Sequence, residues 1–193
     1  MQEDHFRSTV KLGDDYLKHK KYHRALDTYQ YAMHVLEHEM RGPENDKEAT
    51  VFLKYRYYVI DSMRECYDMM EDYEQALQMC EKFFELEAWL RKLRVLDQWE
   101  ESLNFLSAKK AEYLISLRRL KEASQVLRHL VQSRLMPLYR SDKRNEKTRR
   151  QLVFCLTQQG KLHAHWTEYD LAIRLLDQAL KIEPHYSEAL SYK

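Results

Sequence analysis

Chain-breaking residues are scarce in this sequence. Its 193 residues contain three glycines and three prolines, and ordinary composition would supply roughly four times as many. The glycines stand far apart, which excludes the glycine-rich loops that bind nucleotides and the nucleophile elbow of hydrolases. Sheet proteins also need more turn residues than this. The scarcity therefore favours long helices.

Apolar residues recur at helical spacing between these breakers. One run advances by three or four positions, the width of one helix face, through Phe52, Tyr55, Val59, Met63 and Cys66. No segment alternates as a strand would, so we predict an all-α fold. Three pairs have the cap-x-x-acid spacing of helix starts: Asn45 with Glu48, Asp97 with Glu100, and Thr167 with Asp170.

The chain contains four copies of one pattern. The copies are centred on the alanines Ala25, Ala76, Ala123 and Ala172, and twelve residues before these stand Gly13, Arg64, Ala111 and Gly160. A small residue at the earlier position lets the two helices of a hairpin approach closely. We therefore predict that Gly13 and Gly160 lie where paired helices touch.

This pattern resembles that of the tetratricopeptide repeat (TPR) family. The first unit carries Leu12-Gly13-x2-Tyr16 and Ala25-x3-Tyr29, and the last unit keeps Gly160, Ala172 and Pro184. The resemblance covers essentially the whole chain. It implies a right-handed α-solenoid of TPR-like helix hairpins, with about eight helices plus a terminal helix. The resemblance is strong evidence for the architecture of the chain but weak evidence for its function.

The repeats are longer than is usual for the family. The alanines are 51, 47 and 49 residues apart, against about 34 in the standard repeat. The extra residues continue the helical apolar pattern, so we predict single long helices at 47–70 and 97–117 rather than long loops. One domain, 1–193, contains units at 4–40, 46–96, 97–136 and 141–183. Residues 185–193 form a capping helix or the start of a truncated repeat.

The resemblance also predicts where a partner binds. In this family the first helix of each hairpin lines a concave groove. The corresponding residues here predict an acidic, aromatic-lined groove made by Asp14, Tyr58, Asp61, Glu65, Asp68, Phe105 and Glu112. We expect it to bind a basic or amphipathic segment of a partner protein, with the aromatic rings receiving apolar or cationic side chains.

A basic stretch is the second candidate site. It contains Arg140, Lys143, Arg144, Lys147, Arg149 and Arg150. A solvated turn between repeats explains such charges without a ligand, and the alternatives are an acidic protein surface and RNA. The net charge of +1 gives no general attraction for nucleic acid. Self-association or assembly into a larger complex through the long helices is a further alternative.

No residue pattern indicates catalysis, a cofactor or a metal. His34, Glu37 and His38 have the HxxEH order of an inverted zinc-protease motif, but no third ligand stands out. The cysteines lack CxxC spacing and lie near apolar helix positions, as core residues do: Cys66, Cys80 and Cys155. The chain has a polar beginning and short apolar runs. We expect a non-enzymatic intracellular protein, cytoplasmic or nuclear, with no membrane segment.

Overall fold

The protein is built from helices in two compact units. The structure, a computed structural model, describes residues 2–40 and 42–192, and every regular element within those ranges is helical. The two units are Met1–Glu100 and Glu101–Lys193. The prediction of an all-α fold of helix hairpins is confirmed. The handedness of the solenoid and the assignment of the chain to one domain stay predictions.

The first unit contains two helix hairpins and a short connecting segment. Its main helices are α1 (Gln2–Lys18), α2 (Tyr22–His34), α3 (Asp46–Met69) and α4 (Tyr73–Phe84). The α1 helix packs against α2, α2 packs against α3, and α3 packs against α4. A π-helical turn, Val35–Glu39, extends α2. The unit ends with the short helix α5 (Glu87–Lys92) and a 3₁₀ turn, Leu96–Trp99.

The second unit repeats the hairpin arrangement. Its helices are α6 (Glu100–Ser116), α7 (Leu120–Leu130), α8 (Met136–Ser141), α9 (Glu146–His165), α10 (Tyr169–Ile182) and α11 (Ser187–Tyr192). A π-helical turn, Val131–Leu135, joins α7 to α8 without a break. The α9 helix packs against both α7 and α10. No helix in the described part of the chain combines the length and apolar character needed to cross a membrane.

The four hairpin turns share one geometry. Five residues before each repeat alanine, the backbone is left-handed, with φ of 58°, 59°, 61° and 63° at Lys20, Glu71, Arg118 and Thr167. The residue after each of these donates its backbone N–H to a carbonyl five residues earlier, with N···O distances of 2.8–2.9 Å. This bond is the Schellman closure of a helix end. None of the four left-handed residues is glycine, so each turn carries about 1 kcal/mol of strain.

Thr167 is the most strained of these residues, because a β-branched side chain rarely adopts a left-handed backbone. We predict that Thr167→Gly raises the free energy of unfolding by about 1 kcal/mol by removing that strain. Thr50 lies inside α3 and has helical geometry, so Thr50→Gly should instead destabilise the protein. Urea denaturation of the two variants measures both effects, and a loss of stability in Thr167→Gly would contradict the strain argument.

The predicted glycine contacts are confirmed. A Cβ atom added to Gly13 would lie 2.6 Å from the ring of Tyr29 on α2, and one added to Gly160 would lie 2.9 Å from Cγ of Leu176 on α10. Both distances are too short for a real contact between carbon atoms. Glycine is therefore required at these two positions for the close approach of the paired helices.

Gly160→Leu tests the contact between α9 and α10. The added side chain would overpack the contact with Leu176, so we expect a loss of about 1–3 kcal/mol in the free energy of unfolding. Gly42→Leu is the matched control, because a Cβ atom at Gly42 meets nothing within 4 Å. Thermal melts that show equal stability for the two variants would mean that the hairpin register is wrong.

Much of the extra repeat length is helical. The α3 helix runs unbroken for 24 residues, which confirms the predicted long helix at 47–70. The helix that begins with α7 continues to Ser141 through the π-helical turn, although Pro137 lies within it. Proline lacks an N–H and would clash with the carbonyl four residues earlier in a regular α-helix. The wider π-helical turn before Pro137 accommodates it.

The connection into the third hairpin differs from the predicted long helix. Residues 97–99 belong to a 3₁₀ turn, and Arg94 just before it has a left-handed φ of 55°. The prediction of one helix over 97–117 is therefore wrong at its start. The physical reason is Trp99, which is buried against Tyr57 and Phe83 with ring centroids 5.2 Å and 5.9 Å away. The bend brings Trp99 into the core of the first unit.

One of the three predicted helix caps is confirmed. The Asn45 side chain accepts the backbone N–H of Glu48 at 3.0 Å, and the Asn45 amide donates to the Glu48 carboxylate at 2.8 Å. Asp97 instead lies inside the 3₁₀ turn, and Thr167 occupies the left-handed turn position, so neither predicted pair caps a helix. The caps that the sequence analysis missed are Asp72 for α4 and Asn145 for α9.

Polar contacts attach the terminal helix α11 to α9. Glu188 accepts hydrogen bonds from Lys161, from Gln158 at 3.3 Å and from the Tyr186 hydroxyl at 3.0 Å. Lys161 also lies 4.5 Å from the ring centre of Tyr192. These contacts suit a capping helix and equally the first helix of a further repeat, so both alternatives stay open.

Candidate functional site

A groove runs along α1 and α3, the first helices of the first two hairpins. It contains two neighbouring clefts of about 360 Å³ each. We call them the amino-end cleft and the carboxyl-end cleft, after the ends of α1 and α3 that line them. Asp14 and Tyr58 belong to both clefts. Two more predicted site residues, Asp61 and Glu65, line the carboxyl-end cleft.

Asp14 and Tyr58 are held together by hydrogen bonds. The Asp14 carboxylate accepts the Tyr29 hydroxyl at 2.7 Å and the Tyr58 hydroxyl at 3.0 Å. Burial raises the pKa of both tyrosines, and the bonds to Asp14 raise it further. Both hydroxyls therefore stay protonated donors at neutral pH. The Tyr58 side chain is nevertheless 47% exposed, so its ring is available to a ligand.

Arg64 engages two of the predicted groove carboxylates. Its side chain is only 5% exposed, with Nε 2.6 Å from Asp61 and Nη1 3.5 Å from Asp68. Asp61 and Asp68 therefore neutralise a buried cation and are not both available to attract a ligand. In the repeat pattern Arg64 stands where other units have glycine or alanine, and this alone did not predict its ion pairs. The spacing Asp61-x2-Arg64-x3-Asp68 could have predicted them, because it places both acids one helical turn from the arginine.

Glu65 is the carboxylate best placed to meet a ligand in this cleft. It is exposed and lines the carboxyl-end cleft beside Tyr58. Asp68, by contrast, does not line either cleft. The remaining predicted groove residues, Phe105 and Glu112, belong to α6 in the second unit. Phe105 is exposed, and Glu112 pairs with Lys109 at 3.0 Å. The continuity of the acidic strip across the hairpins stays a prediction.

A second polar network was missed by the sequence analysis. The Tyr55 hydroxyl accepts a bond from Arg7 Nη2 at 2.7 Å and donates to the Glu3 carboxylate at 2.7 Å. This network connects α1 to α3 at their amino ends and borders a larger cleft of about 640 Å³. The resemblance places Arg7 at a groove-facing position, but it carries no signal for the bonds of Arg7 to Tyr55 and Glu3.

The predicted basic stretch lies at the end of α8, in the following loop and at the start of α9. Lys147 pairs with Glu101 and Arg150 pairs with Glu146, both at 2.5 Å. These pairs are exposed, so each contributes little to stability. The other four members form no ion pair among the described residues: Arg140, Lys143, Arg144 and Arg149.

The histidines of the HxxEH segment and the cysteines have the contacts of structural residues. The His34 and His38 rings are 4.8 Å apart, while Glu37 pairs with Arg56 at 3.1 Å. The described residues contain no group of three histidine, cysteine, aspartate or glutamate side chains that could hold a metal. Burial raises the pKa of the Cys66 and Cys155 thiols to about 12, so both are poor nucleophiles at neutral pH.

Comparison with solved structures supports the fold. BtubC (BKLC) from P. vanneervenii matches 94% of this chain with a TM-score of 0.62 and 15% identity, and the chain spans 64% of the length of BtubC. This likeness shows a shared helical-repeat architecture. YrrB, described as a TPR protein with an unusual peptide-binding site, matches 95% of the chain at 15% identity over 89% of its own length. Its TM-score is 0.39, and at that divergence nothing is carried over from YrrB.

The sequence comparisons add no family assignment. No protein-family model matches the chain, and no curated protein matches it. The TPR-like fold therefore rests on the helix hairpins, their common turns and the likeness to BtubC.

The buried arginine makes Asp61 important for stability. We predict that Asp61→Asn lowers the free energy of unfolding by about 1–3 kcal/mol, because it leaves part of the buried Arg64 guanidinium without its charged acceptor. Glu65→Gln makes the same chemical change at an exposed position of the same helix and should stay within about 0.5 kcal/mol of the natural protein. Urea denaturation distinguishes the two, and equal stability would contradict the structural role of Arg64.

Proposed function

We propose that this chain is a non-catalytic interaction module that binds a segment of a partner protein in the groove between α1 and α3. The observation that carries the proposal is Tyr58. Its ring is 47% exposed where the two clefts meet, and its hydroxyl is fixed on Asp14 at 3.0 Å. A rigid aromatic side chain loses little freedom on binding, which is why such residues often anchor protein interfaces.

The shape of the groove favours a chain segment over a small molecule. Its lining on α1 extends from Phe6 to Lys18, a distance of about 18 Å along a helix. That length matches about three turns of a helical ligand or about five residues of an extended one. The two clefts in a row can receive successive side chains of one segment.

The chemistry of the groove favours binding over catalysis. The Asp14 carboxylate accepts two tyrosine hydroxyls, and Asp61 is paired with buried Arg64. Asp14 thus joins α1 to α2 and α3, and Asp61 balances a buried charge within α3. Glu65 adds an exposed carboxylate beside the Tyr58 ring, and both groups can receive a basic side chain. A basic or amphipathic segment therefore suits the carboxyl-end cleft.

The alternatives have less support. RNA binding through the basic stretch would be helped by exposed aromatic rings on which bases stack. The single aromatic residue between Arg134 and Arg150 is Tyr139, which is half-buried and offers a poor surface for stacking.

Self-association makes a different prediction, because a dimer at micromolar concentration would change the elution volume in size-exclusion chromatography.

Affinity capture with matched variants tests the proposed site. Tyr58→Ala with Glu65→Lys removes the exposed ring and reverses the nearby charge without disturbing Arg64. We expect it to weaken capture of the partner at least tenfold, measured by quantitative mass spectrometry. The control, Lys143→Glu with Arg144→Glu in the second unit, should capture the same partner as the natural protein. If the control loses the partner and the groove variant keeps it, the binding site is the basic stretch.

A further inference from the structure

The two clefts of the groove have opposite charge. The amino-end cleft is lined by Arg7, Lys11 and Lys54, with Asp14 at its edge. The carboxyl-end cleft is lined by Asp14, Asp61 and Glu65, with a single cation, Lys18. The sign of the charge therefore reverses along the groove at the Asp14–Tyr58 hydrogen bond.

The charges at the two ends differ in how free they are to meet a ligand. Arg7 is hydrogen-bonded to Glu3 and Tyr55. Lys11 and Lys54, by contrast, are exposed and form no ion pair among the described residues. At the other end Asp61 is paired with Arg64, and Glu65 is exposed. Lys18 in the carboxyl-end cleft is exposed as well. The Asp14 carboxylate accepts only neutral tyrosine hydroxyls, so these bonds do not cancel its charge. Lys11 and Lys54 thus remain at the amino end, and Asp14 and Glu65 outweigh Lys18 at the carboxyl end.

We propose that the groove selects a dipolar segment, with an acidic side chain over Lys11 and Lys54, an apolar or aromatic side chain against Tyr58, and a basic side chain beside Glu65. This inference rests on the proposed function and names the charge pattern of its ligand. It changes the expectation from the sequence, because a uniformly basic segment would place its charges against the two lysines. Like charges in contact across an interface oppose binding.

The geometry also sets the spacing of the charges. Lys54 and Glu65 are eleven residues apart on α3, which corresponds to about 16 Å. A helical ligand therefore carries its acidic and basic residues about eleven positions apart, and an extended ligand about five. A segment with adjacent opposite charges could not reach both ends of the groove.

Selection from a random library of 16-residue peptides displayed on phage, with the full chain as bait, tests the charge pattern. We expect enriched peptides to carry acidic and basic residues at opposite ends around an apolar centre. A synthetic copy of one enriched peptide should bind at least tenfold more tightly in fluorescence anisotropy than a copy whose acidic residues are replaced by lysine.

A charge-reversed variant tests whether Lys11 and Lys54 recognise the acidic end of the ligand. Lys11→Glu with Lys54→Glu should invert the preference, so that the all-basic peptide binds about tenfold more tightly than the dipolar one. Lys143→Glu with Arg144→Glu makes the same change of net charge in the second unit and should keep the original preference. Both lysines are exposed, and thermal melts verify that the variants fold.

The outcomes separate the two proposals. Enriched peptides that are uniformly basic or uniformly acidic, and that lose binding in Tyr58→Ala, would overturn the dipolar pattern and leave the groove as the binding site. A failure to enrich any peptide whose binding depends on Tyr58 would overturn the proposed function as well. Enrichment of dipolar peptides whose preference does not change in the charge-reversed protein would also overturn the assignment to Lys11 and Lys54.

Discussion

The close approach of α1 and α2 determines the geometry of the candidate groove. Because Gly13 has no side chain, the Tyr29 ring can lie against the backbone of α1, where any Cβ atom would be 2.6 Å from the ring. In that position the Tyr29 hydroxyl reaches the Asp14 carboxylate, which also accepts the Tyr58 hydroxyl from α3. A contact in the core of the first hairpin thus orients an exposed aromatic residue in the groove.

The second hairpin has different chemistry at the corresponding position. Arg64 occupies the position that Gly13 has in the first hairpin, and its guanidinium is buried with Asp61 and Asp68 as partners. A buried charge tolerates the loss of a partner poorly. Asp61 and Asp68 therefore compensate a buried charge on their own helix. Asp61 therefore combines a structural role with its place in the proposed groove, whereas Glu65 is exposed.

The sequence predicted the helix pairs well because periodicity and residue size report local packing. The spacing of Gly13 from Ala25 and of Gly160 from Ala172 was sufficient to locate the contacts between helices. It could not reveal the turns, because Lys20 and Thr167 adopt a left-handed backbone that composition does not signal. The bend before α6 was missed for a different reason. It depends on the burial of Trp99 against side chains far away in the sequence, and such contacts override local helical preference.

The sequence analysis predicted that Asp14, Tyr58, Asp61 and Glu65 lie together, as they do in the carboxyl-end cleft, but it could not predict which charges are paired. A count of carboxylates treats Asp14, Asp61 and Glu65 alike, but their surroundings differ. Asp14 accepts two tyrosine hydroxyls, Asp61 pairs with the buried Arg64, and Glu65 is exposed to solvent. The same counting leaves Lys11 and Lys54 out, because they lie beside the motif positions and not on them. The electrostatic character of a repeat groove therefore follows from which charges are already paired within the hairpins. Only the unpaired remainder can distinguish one ligand from another. In the proposed groove it is positive around Lys11 and Lys54, and negative at the carboxyl end, where Asp14 and Glu65 outweigh Lys18.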